Sequence, residues 1–251
     1  MSVEKKTRLL VSDIDGTLLD DGEPTAGLST LRTVLWAYRG AVRLVYATGR
    51  SFASTRSLID SGALPEADGI CAFVGTELWL PPWKGASKDY AAHIEQGWRR
   101  DRVVELAASF PQVEWQPDEF QSPYKASFFL REPTLLPAFE LELRRVEAGA
   151  RAIYSCDEYL DVIPASAGKR NAVDFVRGLF GIDRFHVLTA GDSGNDLDML
   201  LDDRFFGVAV GNAETELRKL AKVGSASLHE SNLPFAAGVL DGAEVFDFWP
   251  G

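Results

Sequence analysis

The sequence predicts an α/β fold with a smaller α+β unit inserted into it, and three features carry that reading. Apolar, β-branched runs that stop at a polar residue or glycine recur at 9–12, 42–48, 69–74, 186–190 and 206–210. Runs apolar on both faces are the mark of parallel strands covered by helices. Between 171 and 180, Ala172, Val173, Val176, Leu179 and Phe180 form one helical face, and Gly181 supplies the stop. From about residue 83 to 159 the pattern changes. Two helical stretches, 89–110 and 134–147, are each followed by strand-like pieces, 113–116 and 125–130 and then 150–156 and 160–163.

Taken in chain order, the run 9–12 delivers Asp13 and Asp15 to the end of the first strand, and the run 42–48 delivers Thr48, Gly49 and Arg50. The third run is followed by Pro81 and Pro82, a hinge point into the middle unit. There Leu135, Phe139, Leu143 and Val146 line one helical face with Thr134 as N-cap. Helices on one face of a small antiparallel sheet make an α+β unit. Ile163 and Pro164 mark the return, Lys169 lies just ahead of the next helix, and the run 186–190 leads to Asp192, Asn195 and Asp196. The expected division is a core of residues 1–82 and 160–251 around an inserted unit of 83–159.

A chain of 251 residues, 46% of them hydrophobic, can bury a substantial core. Its net charge of −11 argues against nucleic acid as a partner, which would need clustered Lys and Arg. Cys71 and Cys156 make no disulfide framework, which points to a reducing compartment. The N-terminus has only a three-residue apolar run before charges begin, and no stretch approaches the roughly 18 apolar residues of a membrane span. A cytoplasmic protein with no membrane partner is the expectation. His93, His186 and His229 fall in no metal spacing.

In doubly wound sheets ligands bind beyond the carboxyl ends of the strands, where these polar residues collect. Two carboxylates about 4 Å apart repel by roughly 4 kcal/mol at an effective dielectric of about 20. Four of them, Asp13, Asp15, Asp192 and Asp196, call for a divalent cation, and hard oxygen ligands favour magnesium. Asp13 would then be a nucleophile toward phosphorus and Asp15 the acid and base. Thr48 and the Gly49 N–H would hold phosphate oxygens, Gly16 would let backbone approach them closely, and Lys169 would supply the positive charge that the composition otherwise lacks. Taken singly, each of these residues reads equally well as a cap or a solvated charge. Their joint placement past strand ends is what singles them out.

DIDGT, Thr48, Lys169 and GDSGND, in that order, resemble the four motifs of haloacid dehalogenase-like (HAD) phosphatases. The inserted unit, lying between the second and third motifs, resembles the C2-type cap of the sugar phosphatases. Over nearly the whole chain VYATGRS, FVGTELW, YKASFFL, YLDVIP, GDSGND and VFDFW are similar to sucrose-phosphate phosphatases, with mannosylfructose-phosphate phosphatases as relatives. The resemblance implies a Rossmann-like HAD core and hydrolysis of a sugar phosphate, most simply sucrose 6-phosphate, through an aspartyl phosphate. It places Mg2+ on Asp13, on the Asp15 backbone carbonyl, on Asp192 and on or near Asp196. It assigns phosphate binding to Thr48, Gly49 and Lys169 with Asn195 orienting them, and turns Lys125 toward the sugar.

Arg50, Ser127 and Asp157 are further candidates for substrate contact, with Ser155 and Glu158 beside them. Trp79, Trp83, Trp98 and Trp115 fall near or in the insert, where a ring could stack on a sugar. Two rival readings use the same residues: a phosphomutase of the phosphomannomutase type, and a non-catalytic partner of a sucrose-phosphate synthase. The intact ATGRS segment favours hydrolysis over the mutase. A monomer is expected, with contact to such a synthase as the one macromolecular partner considered.

Overall fold

A computed structural model describes residues 6–222 and 226–251. Residues 1–5, on which the leader expectation rests, lie outside the described residues. The first half of the core alternates strands and helices: β1 (Arg8–Ser12), the short ribbon β2 (Leu19–Asp20) and β3 (Glu23–Pro24), α1 (Leu28–Ala37), β4 (Val42–Ala47), α2 (Phe52–Asp60), β5 (Gly69–Ala72) and β6 (Glu77–Trp79). The middle adds α3 (Lys88–Ile94), α4 (Arg100–Ala108), β7 (Val113–Trp115), β8 (Ala126–Leu130), α5 (Leu136–Arg145), β9 (Ala150–Ser155) and β10 (Tyr159–Pro164). The chain then returns through α6 (Lys169–Leu179), β11 (Val187–Gly191), α7 (Leu197–Leu200), β12 (Phe206–Ala209), α8 (Thr215–Lys222), β13 (Leu228–Glu230) and α9 (Phe235–Val245).

Seven strands form one sheet in the order β13-β12-β11-β1-β4-β5-β6, parallel throughout except for the antiparallel edge strand β6. β1 sits at its centre because its apolar residues are buried on both faces, Leu9 to Val11 reaching no solvent. All five expected runs are strands of this sheet. Between β6 and α6 lies a second sheet, antiparallel, in the order β7-β8-β10-β9.

The boundaries of the two packing groups differ from the expected 83 and 159. Tyr90 and Ile94 of α3 pack in the large core. β10, whose Leu160 and Val162 join the small core, runs on to Pro164. The expected helix over 89–110 is two helices, broken where Gly97 takes φ 77°. There the chain crosses Gly149 so closely that a Cβ on Gly149 would overlap the Gly97 carbonyl, whereas at Gly97 itself it is the left-handed backbone that favours glycine. Thr134 is not an N-cap either: 133–135 form a 3₁₀ turn and α5 starts after it without a side-chain cap. The face of α6 is as expected at Ala172, Val173 and Val176, whereas Leu179 is 56% exposed at the helix end. Among the described residues no helix is long and apolar enough to cross a membrane.

Candidate active site

The carboxyl ends of β1 and β11 lie side by side, and their parallel register brings Asp13 against the 192–196 turn; the Asp13 N–H donates to Ala190 O at 2.9 Å. Lys169, the first residue of α6 and fully buried, donates to Asp13 Oδ1 at 2.7 Å and Asp196 Oδ1 at 2.6 Å. The other oxygen of Asp196 accepts the N–H groups of Asp192 and Ser193 at 3.0 and 3.1 Å. Asp192 Oδ1 accepts from the Thr17 hydroxyl at 2.8 Å. Gly16, at φ 78°, leans on the Asp192 carboxylate so closely that any Cβ there would overlap it.

Asp13, Asp192 and Asp196 each offer an oxygen within 4.8 Å of the others. Three carboxylates around one ammonium leave an excess of two negative charges in a largely buried spot, a donor set that fits a divalent cation taking oxygen ligands. The carboxyl groups register the mismatch. Burial, with Asp196 adding to it, pushes Asp13 above the usual carboxylate range against the pull of Lys169. Burial together with Asp13 and Asp196 does the same to Asp192. Burial would lower the Lys169 ammonium, but the two carboxylates outweigh it and hold the pKa above the ordinary lysine value.

Asp15 does not join this group through its side chain. Its carboxylate takes a bidentate pair from Arg50, Nη2 to Oδ1 at 2.6 Å and Nε to Oδ2 at 2.7 Å, and Arg50 Nη1 reaches Ser54 Oγ at 3.0 Å. The guanidinium expected to meet substrate is therefore committed to Asp15. Thr48 is fully buried, its hydroxyl oxygen accepting the Arg50 N–H at 3.1 Å. Its carbonyl accepts the N–H of Val74 at 2.8 Å. Phe73 and Val74 both adopt left-handed backbone, φ 49° and 58°, a strained conformation for a β-branched residue.

Above this site lies a cavity of about 240 Å³, lined by Gly49, Val74 and Asn195 from the core and by Gln116, Phe120, Lys125, Phe129, Ser155, Tyr159 and Asp161 from the small sheet and its turns. Lys125, 3% exposed, pairs with Asp161 at 3.1 Å, and the Ser127 hydroxyl lies 2.7 Å from the same carboxylate. Asn195 Oδ1 is buried without a hydrogen-bond partner among the described residues. Of the expected insert residues, Lys125 and Ser155 line the cavity. Ser127 is buried behind Asp161 and meets the cavity only through it. Asp157 sits exposed in the β9–β10 turn at φ 52° and Glu158 pairs with Arg131; neither lines the cavity. No tryptophan lines it either. Trp79 stacks on Phe52, Trp83 packs beside it, Trp98 donates to Pro123 O and Trp115 meets Phe128 edge-on. The rings at the cavity are Phe120, Phe129 and Tyr159. Asp161 went unselected from the sequence although a signal was present: a lone carboxylate inside the apolar strand YLDVIP.

A family model described as sucrose-6F-phosphate phosphohydrolase matches residues 6–247. The probable sucrose-phosphatase 3a of Arabidopsis thaliana is 33% identical over 96% of this chain, which spans 60% of that relative's length. The mannosylfructose-phosphate phosphatase of Agrobacterium fabrum (strain C58) is 30% identical over 95% of this chain and 96% of its own. The solved structure of the sucrose-phosphatase from Synechocystis sp. PCC6803 in complex with sucrose and phosphate superposes with a TM-score of 0.89, at 29% identity over 96% of this chain and 98% of that one. The order of motifs, the two sheets and these matches agree, and the chain belongs to the sucrose-6F-phosphate phosphohydrolase family of HAD hydrolases.

Proposed function

We propose that this chain is a magnesium-dependent phosphatase that hydrolyses sucrose 6-phosphate to sucrose and phosphate. The observation that carries the reading is the stacking of two chemistries. Asp13, Lys169 and Asp192 gather at the floor, while the cavity above presents Lys125, Asp161, Gln116 and Asn195 together with three aromatic rings. Ammonium, carboxylate and amide groups around apolar ring faces suit the hydroxyls and carbon faces of a sugar. Mannosylfructose phosphate is the second reading, favoured by the relative that matches this chain end to end.

In this mechanism the free Asp13 oxygen attacks phosphorus and forms an aspartyl phosphate. Lys169 holds the other oxygen and fixes the carboxylate's direction. Asp15, released from Arg50, protonates the departing sugar oxygen and then takes a proton from the water that opens the intermediate. Asp13, Asp192 and the Asp15 carbonyl would hold a magnesium ion, which would supply charge neutralisation at the phosphoryl group. Asp196 serves chiefly to orient Lys169 and the 192–193 amides, since both its oxygens are engaged. Residues 95 to about 165 act as the cap that reads the sugar and excludes water.

Magnesium-dependent phosphate release from sucrose 6-phosphate, mannosylfructose phosphate, trehalose 6-phosphate and hexose phosphates tests the reading. Asp161→Asn keeps the acceptor for Ser127 but removes the charge facing Lys125. It should raise KM for the preferred disaccharide phosphate about tenfold, some 1.4 kcal/mol, and leave p-nitrophenyl phosphate hydrolysis within about twofold. No release from any of these sugar phosphates would overturn the phosphatase, and an unchanged preference in Asp161→Asn would overturn the role of the cavity.

The raised carboxyls predict a thermal signature. A carboxyl whose folded pKa lies above its unfolded value contributes stability in acid that is lost as pH rises through the folded value. Without magnesium the melting temperature should fall from about pH 5 to about pH 8 as Asp13 and Asp192 ionise. Millimolar magnesium, which binds the ionised forms, should raise it more at the higher pH. Equal magnesium shifts at both ends would contradict the assignment.

A further inference from the structure

We propose that Asn212 is a positioning residue for the loop that carries Asp15. Asn212 follows β12 and lies 196 residues from Gly16, yet its side-chain Nδ2–H donates to the Gly16 carbonyl at 2.7 Å. Its Oδ1 accepts the N–H of Phe235, the first residue of α9, at 2.8 Å. Asn212 has a firm base: the Gly211 N–H donates to Leu233 O at 2.8 Å, and Arg218 Nη1 donates to the Gly211 carbonyl at 2.7 Å.

The consequence lies in the two peptide planes around Gly16. The plane before it is fixed by the Gly16 N–H, which donates to Leu19 O at 2.9 Å. The plane after it is held on its carbonyl side by Asn212 and, by a longer bond, on its amide side, where the Thr17 N–H donates to Ile14 O at 3.3 Å. With both planes tied, the left-handed turn at Gly16 is constrained, and with it the direction of the Asp15 carbonyl and the point from which the Asp15 side chain swings. Thr17 extends the constraint to Asp192 through its hydroxyl at 2.8 Å. Without Asn212 only the long Thr17–Ile14 bond restrains the second plane, and Gly16, which has no Cβ to restrict it, becomes the pivot on which Asp15 turns. A misplacement on the scale of 1 Å costs an enzyme up to about 100-fold in rate.

Asn212→Asp separates positioning from support. The near-isosteric carboxylate still accepts from Phe235 N–H, so α9 keeps its tie, but it has no proton to give Gly16 and faces that carbonyl with a negative charge. The full chain with magnesium should lose about tenfold in kcat on p-nitrophenyl phosphate, with KM within about twofold and an unchanged melting temperature. Hydrogen exchange read by mass spectrometry should accelerate in the peptide covering residues 13–20 and not in the one covering α9. Asn212→Ala, which cuts both bonds, should accelerate both. Wild-type kcat in Asn212→Asp, or exchange that rises in the α9 peptide while 13–20 stays protected, would overturn the proposal. The kcat measurement rests on the phosphatase reading, whereas exchange does not. A wild-type protein without turnover but with the expected exchange pattern would refute that reading and leave the positioning intact.

Discussion

Asp13→Asn is expected to lower phosphate release by at least about 10⁴-fold, the scale on which removing a nucleophile disables a unit that acts together. An amide cannot supply the anionic oxygen that the proposed aspartyl phosphate requires. It can, however, still accept from Lys169, which now sits 2.7 Å from Asp13 Oδ1. Asp13 is 4% exposed and ionises against burial, so a neutral replacement should leave the magnesium-free protein as stable as the wild type or more so. Activity lost with stability kept is the outcome to look for in paired turnover and melting measurements. Normal release from this variant would remove Asp13 from the chemistry.

Lys169→Met is expected to damage both properties. The ammonium is buried between two carboxylates at 2.7 and 2.6 Å. Taking away one partner of a buried ionic group leaves uncompensated charge and costs about 3–5 kcal/mol. For a chain of this size that is a fall of roughly 10 °C in melting temperature. Turnover should drop by about 10³-fold, since Asp13 loses the group that directs it and the developing phosphoryl charge loses a cation. The double variant Lys169→Met/Asp196→Asn, with one carboxylate fewer, should regain stability without regaining turnover. A single variant melting within 2 °C of the wild type, on the order of a surface substitution, would mean that the ion pairs are not formed in solution.

The sequence was legible where an element's whole environment is apolar. The five runs of the large sheet read as strands because both of their faces are covered. The carboxylates and Lys169 read as a site because each follows directly on a strand end or opens a helix. The edge strands β6 and β13 and the ribbon β2–β3 left no such trace, being three residues long or shorter. Gly97 hid inside an apparently continuous helical pattern because a lone glycine there does not by itself show that the backbone turns left-handed, as it does where the chain passes Gly149. The cavity was the least legible part. Its insert members come from β8, the end of β9, β10 and the loops around Phe120 and Lys125, and what joins them is the antiparallel register, which sets Asp161 opposite Ser127. Asn212 escaped notice for the same reason, since its partners are a carbonyl and an N–H that carry no residue signature.

The segments of chain that enter and leave the small sheet are fastened to each other where the Ser166 hydroxyl donates to Ile94 O at 3.1 Å. A segment whose ends meet at one point can be exchanged as a cassette, because the host must match only that point and the short crossings beside it. On the proposed division of labour, in which the insert reads the sugar, substrate range would diversify by transplantation of the whole insert as well as by stepwise substitution. A chimera joining the core of this chain at Ile94 and Ser166 to the corresponding segment of the mannosylfructose-phosphate relative is the construction that the geometry invites.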